Sequence, residues 1–261
     1  MRILSISSQV AHGPVGNTAA VPALQALGHE VLSVPTIILS NHPGHGKPAA
    51  LRMPAPDLAA ILGTLDGLGA LASCGAVLTG YFAANDQIYG AARIIRRMKE
   101  NNPGLFVLVD PVIGDHGALY VPVPVAEAIR DELLPLAICV TPNRFELEWL
   151  TGWRAGSLKE AEAAARQLGH AEVLATSIPS GPAQIATLLV RPDTVHVHHS
   201  ARRDGVPHGT GDFLSGLYLA RRAAGDAPAA ALSGAMTVLE RAIALSVGSA
   251  VLDVAAALHG A

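Results

Sequence analysis

Two glycines, a threonine and an aspartate lie where a loop is expected to become a helix. The segment is Gly209-Thr210-Gly211-Asp212, and an apolar run over 213–224 follows it. Glycine lets backbone N–H groups approach a ligand closely, and the first turn of a helix leaves N–H donors unpaired in a region of partial positive charge. This combination predicts an anion site for a phosphoryl group, with Asp212 as the base that accepts a hydroxyl proton. The competing interpretation is that Thr210 or Asp212 only caps a helix.

Carboxylates follow two other expected strands. Asp110 and Asp115 come after the buried run Phe106–Val109, while Asn143 and Glu146 are spaced to share one helix face. Phosphoryl transfer from ATP needs Mg²⁺, and hard cations prefer oxygen ligands, so we predict that Asp110 and Glu146 hold Mg²⁺ through water. The alternatives are a turn residue before a proline for Asp110 and a first-turn helix carboxylate for Glu146.

The elements that must position these residues alternate between strand and helix along the chain. This alternation is typical of a mostly parallel sheet covered by helices on both faces. Expected strands cover 2–6, 30–34, 76–79, 106–109, 137–140 and 172–175, with a hairpin of 184–190 and 194–198. Expected helices include 18–27 capped by Asn17, 56–68, 86–99, 126–134, 144–150 capped by Asn143, and 158–168. Because ligands bind beyond the carboxyl ends of such strands, we expect a site among the polar residues found there. These residues are Ser8, Tyr81, Asp110, Thr141, Asn143, Glu146, Thr176 and Ser177.

Composition excludes several classes of function. The chain has 261 residues, half of them apolar, a formal charge of −3 and no basic stripe that would suggest nucleic-acid binding. No apolar run is long enough for a membrane span, and the first residues do not resemble a signal peptide. Cys74 and Cys139 are expected to be reduced core residues of a cytoplasmic protein. No repeat or linker marks a boundary, so we expect a single domain over 1–261.

Two polar stretches receive separate interpretations. Residues 40–48 are rich in Gly, Pro and polar side chains, which predicts a long mobile loop of the kind that carries function. His196, His198 and His199 lie on an expected strand without a Cys or carboxylate spacing that completes a zinc site, so we predict an exposed face there.

Together these motifs resemble the pyridoxal kinase family of the ribokinase-like superfamily. The resemblance runs over most of the chain and rests on ILSISSQVAHGPVGN at 3–17, LSNHPGHGK at 39–47, LTGY at 78–81, DPVIGDHGALYVP at 110–122, TPNRFELEWLTG at 141–152, TS at 176–177 and GTGD at 209–212. GTGD alone occurs across the superfamily, whereas the combination of S-x-V-x-x-G-x-x-G-N, SNH, TGY, DPV-x-GD and TPN-x-x-E is much more specific.

The resemblance implies ATP-dependent phosphorylation of the 5′-hydroxyl of pyridoxal, with pyridoxine and pyridoxamine as further candidate substrates. It also implies a three-layer αβα fold with a mostly parallel central sheet, a homodimer, Mg²⁺ with ATP, and the response to a monovalent cation such as K⁺ that is common in the family. Two alternatives remain: a kinase of hydroxymethylpyrimidine or another small ring alcohol, and a non-catalytic vitamin- or nucleotide-binding protein. The SNH and TGY motifs argue against the first, and the intact GTGD loop argues against the second.

The resemblance also assigns roles to individual residues. Asp212 is the catalytic base, and the amides of Gly209, Thr210 and Gly211 form the anion hole. The substrate-binding residues are Ser8, Asn41, His42 and Tyr81. The ATP-binding residues are Asp110, Asp115, Tyr120, Thr141, Asn143, Glu146, Thr176, Ser177 and Thr210, with Asp110 and Glu146 also near the metal.

The chain departs from the family in residues 40–48, which we call the flap loop because they resemble the flap over the pyridine ring. Family members often have Thr after SNH, where this chain has Pro43, and an aromatic residue shortly afterwards, where this chain has His45 and Lys47. The departure lies in the segment Pro43–Lys47. We therefore expect it to affect vitamer preference and affinity rather than phosphoryl transfer.

Overall fold

A nine-stranded sheet forms the centre of the computed structural model, which describes residues 1–259, and two short strands form a separate hairpin. The strands are β1 (Arg2–His12), β2 (Glu30–Asn41), β3 (Ala50–Arg52), β4 (Cys74–Thr79), β5 (Phe106–Val109), β6 (Gly114–Asp115), β7 (Ala118–Leu119), β8 (Cys139–Val140), β9 (Glu172–Gly181), β10 (Gln184–Val190) and β11 (Val195–Ala201). The helices are α1 (Asn17–Ala26), α2 (Ala55–Gly67), α3 (Asn85–Asn101), α4 (Val123–Ala128), α5 (Arg144–Thr151), α6 (Leu158–Leu168), α7 (Thr210–Ala224), α8 (Pro228–Leu245) and α9 (Val254–Leu258).

The sheet is mostly parallel, as the sequence predicts. Its order is β11-β10-β9-β8-β5-β4-β1-β2-β3, and the strands from β9 to β2 in that order run parallel. Strands β3, β10 and β11 pair antiparallel at the two edges. The carboxyl ends of the parallel strands therefore meet along one edge of the sheet, where we expect a ligand site.

Helices cover both faces of this sheet. One apolar cluster joins it to α1, α7, α8 and α9, another joins it to α2, α3 and α4, and a third packs α5 and α6 against β9 and β10. The two-residue period of a strand separates the faces, since Leu78 belongs to the first cluster and Val77 to the second. Among residues 1–259, no helix combines the length and the apolar character that crossing a membrane requires.

Strand β2 is longer than expected. The prediction ended it at residue 34, before Pro35, but the strand continues to Asn41. Pro35 is paired with Ser7, directly beside the register shift between Ser7 and Gln9 in β1. A proline has no N–H for the ladder and is tolerated in a strand mainly at edges and bulges, which explains why it does not end β2. The additional length carries the chain towards the flap loop, which contains a short 3₁₀ turn over Pro43–His45.

Two helix predictions are wrong. The expected helix over 126–134 is α4 followed by a π turn over Ile129–Leu133 and a 3₁₀ turn over Leu134–Leu136. Pro135 lacks the N–H that a regular helix needs there. Asn17 does not cap α1, because Gly16 occupies the N-cap position. The buried Asn17 side chain instead accepts a hydrogen bond from Ser5 Oγ at 2.7 Å, which ties α1 to β1.

Several polar residues of the core are paired or packed. Cys74 and Cys139 are free and buried, in agreement with the prediction. Buried Glu172 accepts hydrogen bonds from the Tyr218 hydroxyl at 2.6 Å and from Arg222 Nη2 at 2.8 Å, so this carboxylate links β9 to α7. Strand β11 carries the histidines for which the sequence predicts an exposed face, which are His196, His198 and His199.

Candidate active site

The segment Gly209–Asp212 forms the turn into α7, as its sequence predicts. Gly209 is the N-cap residue with φ of 98°, and a Cβ there would lie 2.0 Å from the Pro14 carbonyl oxygen. Only glycine fits both the left-handed backbone and this close approach. Thr210 and Asp212 lie inside the first helical turn rather than at the N-cap position, so the competing interpretation as N-cap residues does not hold. The unpaired N–H groups of this turn are those available to an anion.

The environment of Asp212 suits a general base. Burial raises the pKa of its carboxyl group to about 6, while hydrogen bonds from the backbone N–H groups of Gly16 and of Asp212 itself act in the opposite direction. A carboxyl group that titrates close to neutral pH is ionised in the cell and still has useful affinity for a proton. The N–H of Gly16 therefore joins the start of α1 to the base at the start of α7.

A small cavity lies beside Asp212. Its lining includes Ser7, Asp110, Ser215 and Gly80. A Cβ on Gly80 would lie 2.5 Å from Ser7 Oγ and 3.9 Å from Asp212 Oδ1, so the lack of a side chain keeps open the space next to the base. This space is where the hydroxyl of an acceptor would have to approach Asp212.

Asp110 is buried at the same cavity as Asp212, and its carboxylate accepts a hydrogen bond from a hydroxyl group. Ser215 Oγ donates to Asp110 Oδ2 at 2.9 Å and lies 3.0 Å from Thr141 Oγ1. Burial, together with the negative charges of Asp212 and Glu146, raises the pKa of Asp110 well above its usual value. The sheet edge thus gathers three carboxyl groups from β5, α5 and α7.

Asn143 caps α5 as predicted and forms a capping box with Glu146. Asn143 Oδ1 accepts from the Glu146 N–H at 3.0 Å, and Glu146 Oε2 accepts from the Asn143 N–H at 2.9 Å. Glu146 Oε1 also accepts from the Ile113 N–H at 2.8 Å, and Asn143 Nδ2 donates to the Gly114 carbonyl at 2.8 Å. Burial raises the pKa of Glu146 to about 7, against the effect of these N–H donors. The box fixes the loop after Asp110.

The carboxylates fit a divalent cation that is shared with phosphate and water. The charges acting on Asp110 are those of other carboxylates, so a bound cation would relieve their repulsion. Glu146 already accepts backbone N–H groups on both oxygens, which favours contact with a metal through water. Within residues 1–259 no group of three or more acidic, His or Cys side chains could hold a metal ion by itself. Phosphate and water would therefore have to complete the coordination.

The predicted ATP-binding residues lie on neighbouring elements of the same sheet edge. The Thr176 N–H donates to the Pro142 carbonyl at 2.9 Å, which places β9 beside the start of α5. Ser177 has φ of 59°, a strained value for a residue with a side chain, and lies next to the register shift between β9 and β10. Such strain is often found at binding sites.

The hairpin of β6 and β7 carries Asp115 and Tyr120 above the carboxylates. Asp115 Oδ1 accepts from the His116 N–H at 2.7 Å. Burial around the Tyr120 hydroxyl raises its pKa, and the charges of Glu146, Asp110, Asp212 and Asp115 act in the same direction. Tyr120 therefore faces this set of carboxylates, although 55% of the residue remains exposed.

Of the predicted acceptor-side residues, Ser8 lies inside β1 at its register shift, because β1 continues beyond the expected end at residue 6, and Tyr81 follows the end of β4. Ser8 is buried, and a Cβ on Gly16 would lie 2.3 Å from its Oγ. The Tyr81 N–H donates to Ser7 Oγ at 3.1 Å, and burial raises the pKa of the Tyr81 hydroxyl. Ser7 therefore connects the middle of β1 to the turn after β4 at the cavity.

In the flap loop, the side chain of Asn41 serves the loop itself. Asn41 Nδ2 donates to the carbonyls of His42 at 3.1 Å and Gly46 at 3.0 Å. The ring of His42 does reach the site, because its centroid lies 4.0 Å from that of His208, which directly precedes the turn into α7. The structure therefore places His42 at the site, whereas the amide of Asn41 shapes the flap loop.

The sequence interpretation missed several residues that line or support the site. They are Ser7, Gly16, Gly80, Ser215 and His208. Gly16 and Gly80 are part of the motifs that carry the family resemblance, and glycines in those motifs could have indicated close backbone approach. Ser215 and His208 flank the GTGD motif, and proximity to it is the one signal that the sequence contains.

Comparisons with known proteins agree with this geometry. A family profile described as phosphomethylpyrimidine kinase matches residues 16–254. The pyridoxine/pyridoxal/pyridoxamine kinase of Bordetella avium is 38% identical over 250 residues, covering 93% of this chain and 84% of that protein. The chain belongs to the pyridoxal kinase family. Within that family, pyridoxal kinase PdxY of Corynebacterium diphtheriae is 35% identical over 255 residues, covering 92% of this chain and 89% of that protein.

A solved pyridoxal kinase confirms the predicted ribokinase-like αβα fold. The enzyme from Leishmania donovani, in complex with ADP and pyridoxamine, matches with a TM-score of 0.92 at 31% identity. The match covers 99% of this chain and 94% of that chain. The chain thus shares the fold over nearly its whole described length.

Proposed function

We propose that this protein transfers the γ-phosphoryl group of ATP to the 5′-hydroxyl of pyridoxal, and to pyridoxine and pyridoxamine as further acceptors. The observation that carries the proposal is the placement of Asp212. It lies in the first turn of α7, where the Gly16 backbone lowers its pKa and the missing side chain of Gly80 leaves an open space. The pyridoxal kinases to which the chain is similar support the choice of acceptor.

In this reaction the chain's residues act at both ends of the transferred group. Asp212 takes the proton from the 5′-hydroxyl as that oxygen forms a bond to the γ-phosphorus, and the bond from phosphorus to the β-phosphate oxygen breaks to release ADP. The amides of Gly209, Thr210 and Gly211 stabilise the negative charge on the transferring phosphoryl group. Because these donors belong to the start of α7, they need no reorganisation during transfer.

Mg²⁺ is the cation that we assign to this site. Asp110 and Glu146 would hold it, at least partly through water, and it would neutralise charge on the phosphates. Residues after β8 and in the middle of β9, together with the β6–β7 hairpin, would bind the rest of ATP. These are Thr141, Asn143, Thr176, Ser177, Asp115 and Tyr120, with Thr210 from the anion turn. A single domain over 1–261, a homodimer, a cytoplasmic location and a response to K⁺ complete the proposal.

A second candidate acceptor is hydroxymethylpyrimidine, favoured by the description of the matching family profile. The chemistry at Asp212 would be the same, since both substrates present a primary alcohol on an aromatic ring. The two candidates therefore differ at the acceptor side, in Ser8, Tyr81 and the flap loop. An acceptor panel separates them.

The test is a coupled ADP-release assay with Mg²⁺ and ATP. Pyridoxal, pyridoxine, pyridoxamine and hydroxymethylpyrimidine are compared, using the wild type, Asp212→Ala and the matched exposed variant Asp193→Ala. We expect turnover of a B6 vitamer, a loss of about 10²–10⁴-fold in kcat for Asp212→Ala, and no loss for the control. ATP binding, measured by calorimetry, should survive in Asp212→Ala.

Each contrary result changes a different part of the proposal. Turnover of the pyrimidine alone would keep the mechanism and change the acceptor. Retained turnover in Asp212→Ala would remove this residue from the role of base. Nucleotide binding without turnover of any acceptor would favour a non-catalytic binding protein.

A further inference from the structure

The flap loop is attached to the rest of the molecule mainly through histidines. None of its residues, 40–48, is buried, so it has no apolar anchor of its own. The His42 N–H donates to the His12 carbonyl at 3.0 Å, and the ring of His45 lies 5.1 Å from the ring of His12. A further contact is the ring of His42 on the ring of His208, with centroids 4.0 Å apart and an angle of 32° between the planes.

The backbone of the flap loop is shaped for this ring contact. A Cβ on Gly44 would lie 2.7 Å from His208 Nε2 and 3.0 Å from His42 Nδ1. The Gly44 N–H donates to His42 Nδ1 at 3.1 Å, which requires that this nitrogen be unprotonated. The loop thus approaches His208 at a position without a side chain and holds His42 in its neutral form.

The charges around the pair also favour neutral rings. Burial and the neighbouring His208 and His45 lower the pKa of His42 to about 4. Burial, His45 and His116 lower the pKa of His208, while Asp115 acts in the opposite direction. Two like charges at this separation near a protein surface repel each other strongly, so the stack is compatible with at most one protonated ring.

We propose that His208 is a positioning residue that holds the flap loop over the acceptor site by stacking its neutral ring on His42. His208 precedes Gly209 directly, so the stack fixes the flap loop relative to the turn that binds the phosphoryl group. The acceptor would then be enclosed between the flap loop and Asp212. This inference rests on the proposed function only for its kinetic consequence, because the ring contact itself does not depend on which acceptor is bound.

Removal of the stack should lower the affinity for the acceptor, but it should not lower kcat. An open flap loop lowers the fraction of molecules that are competent to bind, which raises KM by the inverse of that fraction. Aromatic pairs of this kind correspond to about a 2- to 10-fold effect. We therefore expect His208→Ala to raise KM for the accepted vitamer about 2- to 10-fold, with kcat and KM for ATP nearly unchanged.

Three further variants separate the ring from other properties of His208. His208→Phe keeps a stacking ring without a titratable group and should restore a wild-type KM, whereas His208→Asn keeps a polar side chain without a ring and should resemble His208→Ala. Gly44→Ala replaces no histidine, but it inserts a methyl group against the ring of His208 and should therefore also raise KM. The matched control is His196→Ala, an exposed histidine on the edge strand β11.

Hydrogen exchange of the peptide over 40–48 provides a readout that does not need turnover. Exchange should be faster in His208→Ala, His208→Asn and Gly44→Ala than in the wild type, and unchanged in His208→Phe and His196→Ala. In the wild type, exchange corrected for its intrinsic pH dependence should increase as the pH falls below about 6.5, because a histidine with a lowered pKa opposes protonation in the closed state. Between pH 7 and 8 it should be constant.

Unchanged exchange in all variants would overturn the inference, as would equal effects of His208→Phe and His208→Ala. A KM that stays at the wild-type value in Gly44→Ala and His208→Ala, with normal turnover, would show that the contact does not position the acceptor. Absence of turnover in the wild type would instead contradict the proposed function, and the exchange experiment would still decide whether the stack holds the flap loop.

Discussion

Gly16 provides the sharpest test of how Asp212 is prepared as a base. Its backbone has φ of 57°, and an added Cβ would lie 2.3 Å from Ser8 Oγ and 2.4 Å from the Ser8 carbonyl oxygen. Gly16→Ala must therefore move the start of α1. That displacement should move the Gly16 N–H away from Asp212 and remove the interaction by which it lowers the pKa of this carboxyl group.

Gly16→Ala should lower the stability of the fold and raise the pKa of Asp212. The left-handed backbone costs about 1–3 kcal/mol for a residue with a side chain, and the contact with Ser8 adds about 1–3 kcal/mol. A hydrogen bond to a charged group stabilises the ionised form by about 1.5–3 kcal/mol, so its loss should raise the pKa of Asp212 by roughly 1–2 units. From a wild-type value of about 6, the ionised fraction at pH 6.5 would fall from about three quarters to about a tenth.

The assay is kcat/KM for the accepted vitamer between pH 5 and 9 at saturating Mg²⁺ and ATP. The wild-type rate should fall as the pH drops through about 6, because protonated Asp212 cannot accept the substrate proton. In Gly16→Ala this acid limb should move to roughly pH 7–8. Gly28→Ala is the matched control, since Gly28 has φ of 82° but no atom within 4 Å of an added Cβ.

A folded Gly16→Ala protein whose acid limb stays near that of the wild type would refute the assigned role of this N–H group. The control should lose stability but keep the wild-type limb, and a shifted limb in Gly28→Ala would attribute the effect to general strain. If Gly16→Ala does not fold, Asp212→Asn decides the assignment. The limb near pH 6 must disappear in that variant if Asp212 is the titrating base.

Three further predictions concern the metal, the acceptor space and the core. Glu146→Gln should raise the Mg²⁺ concentration needed for half-maximal turnover, and an unchanged Mg²⁺ titration would restrict Glu146 to its capping role. Gly80→Ala places a methyl group 2.5 Å from Ser7 Oγ and 3.9 Å from Asp212 Oδ1, so Ser7 must shift into the acceptor space. The variant should raise KM for the alcohol but not for ATP, whereas equal effects on both would contradict this reasoning. Glu172→Gln leaves the partly exposed Arg222 without its charged partner and should lower the free energy of unfolding in urea by about 1.5–3 kcal/mol, at constant kcat in the folded protein.

The sequence predicted those features that depend on local patterns. Strand β5 has the predicted bounds, and Asn143 caps α5, because a buried apolar run and a cap are properties of a few consecutive residues. The contact of Ser215 with Asp110 joins residues 105 positions apart and depends on the packing of α7 against β5. The same holds for His208, whose partner in the flap loop is determined by the length of β2. Local patterns contain no information about these two long-range contacts.

The phosphoryl end and the acceptor end of the site are formed by different kinds of structure, and this difference affects acceptor specificity. The phosphoryl end consists of backbone N–H groups and buried carboxylates fixed by helix starts, so substitutions there affect stability and chemistry together. The acceptor end includes a flap loop without a buried residue, in which Pro43 begins a 3₁₀ turn that Gly44 and His45 complete. Pro43 restricts the backbone at the position where the family often has Thr, and it sets the turn that presents His42 to His208. Changes in this loop can therefore alter which ring alcohol is accepted while the phosphoryl-transfer residues stay in place, because the loop has no buried residue that packs against them.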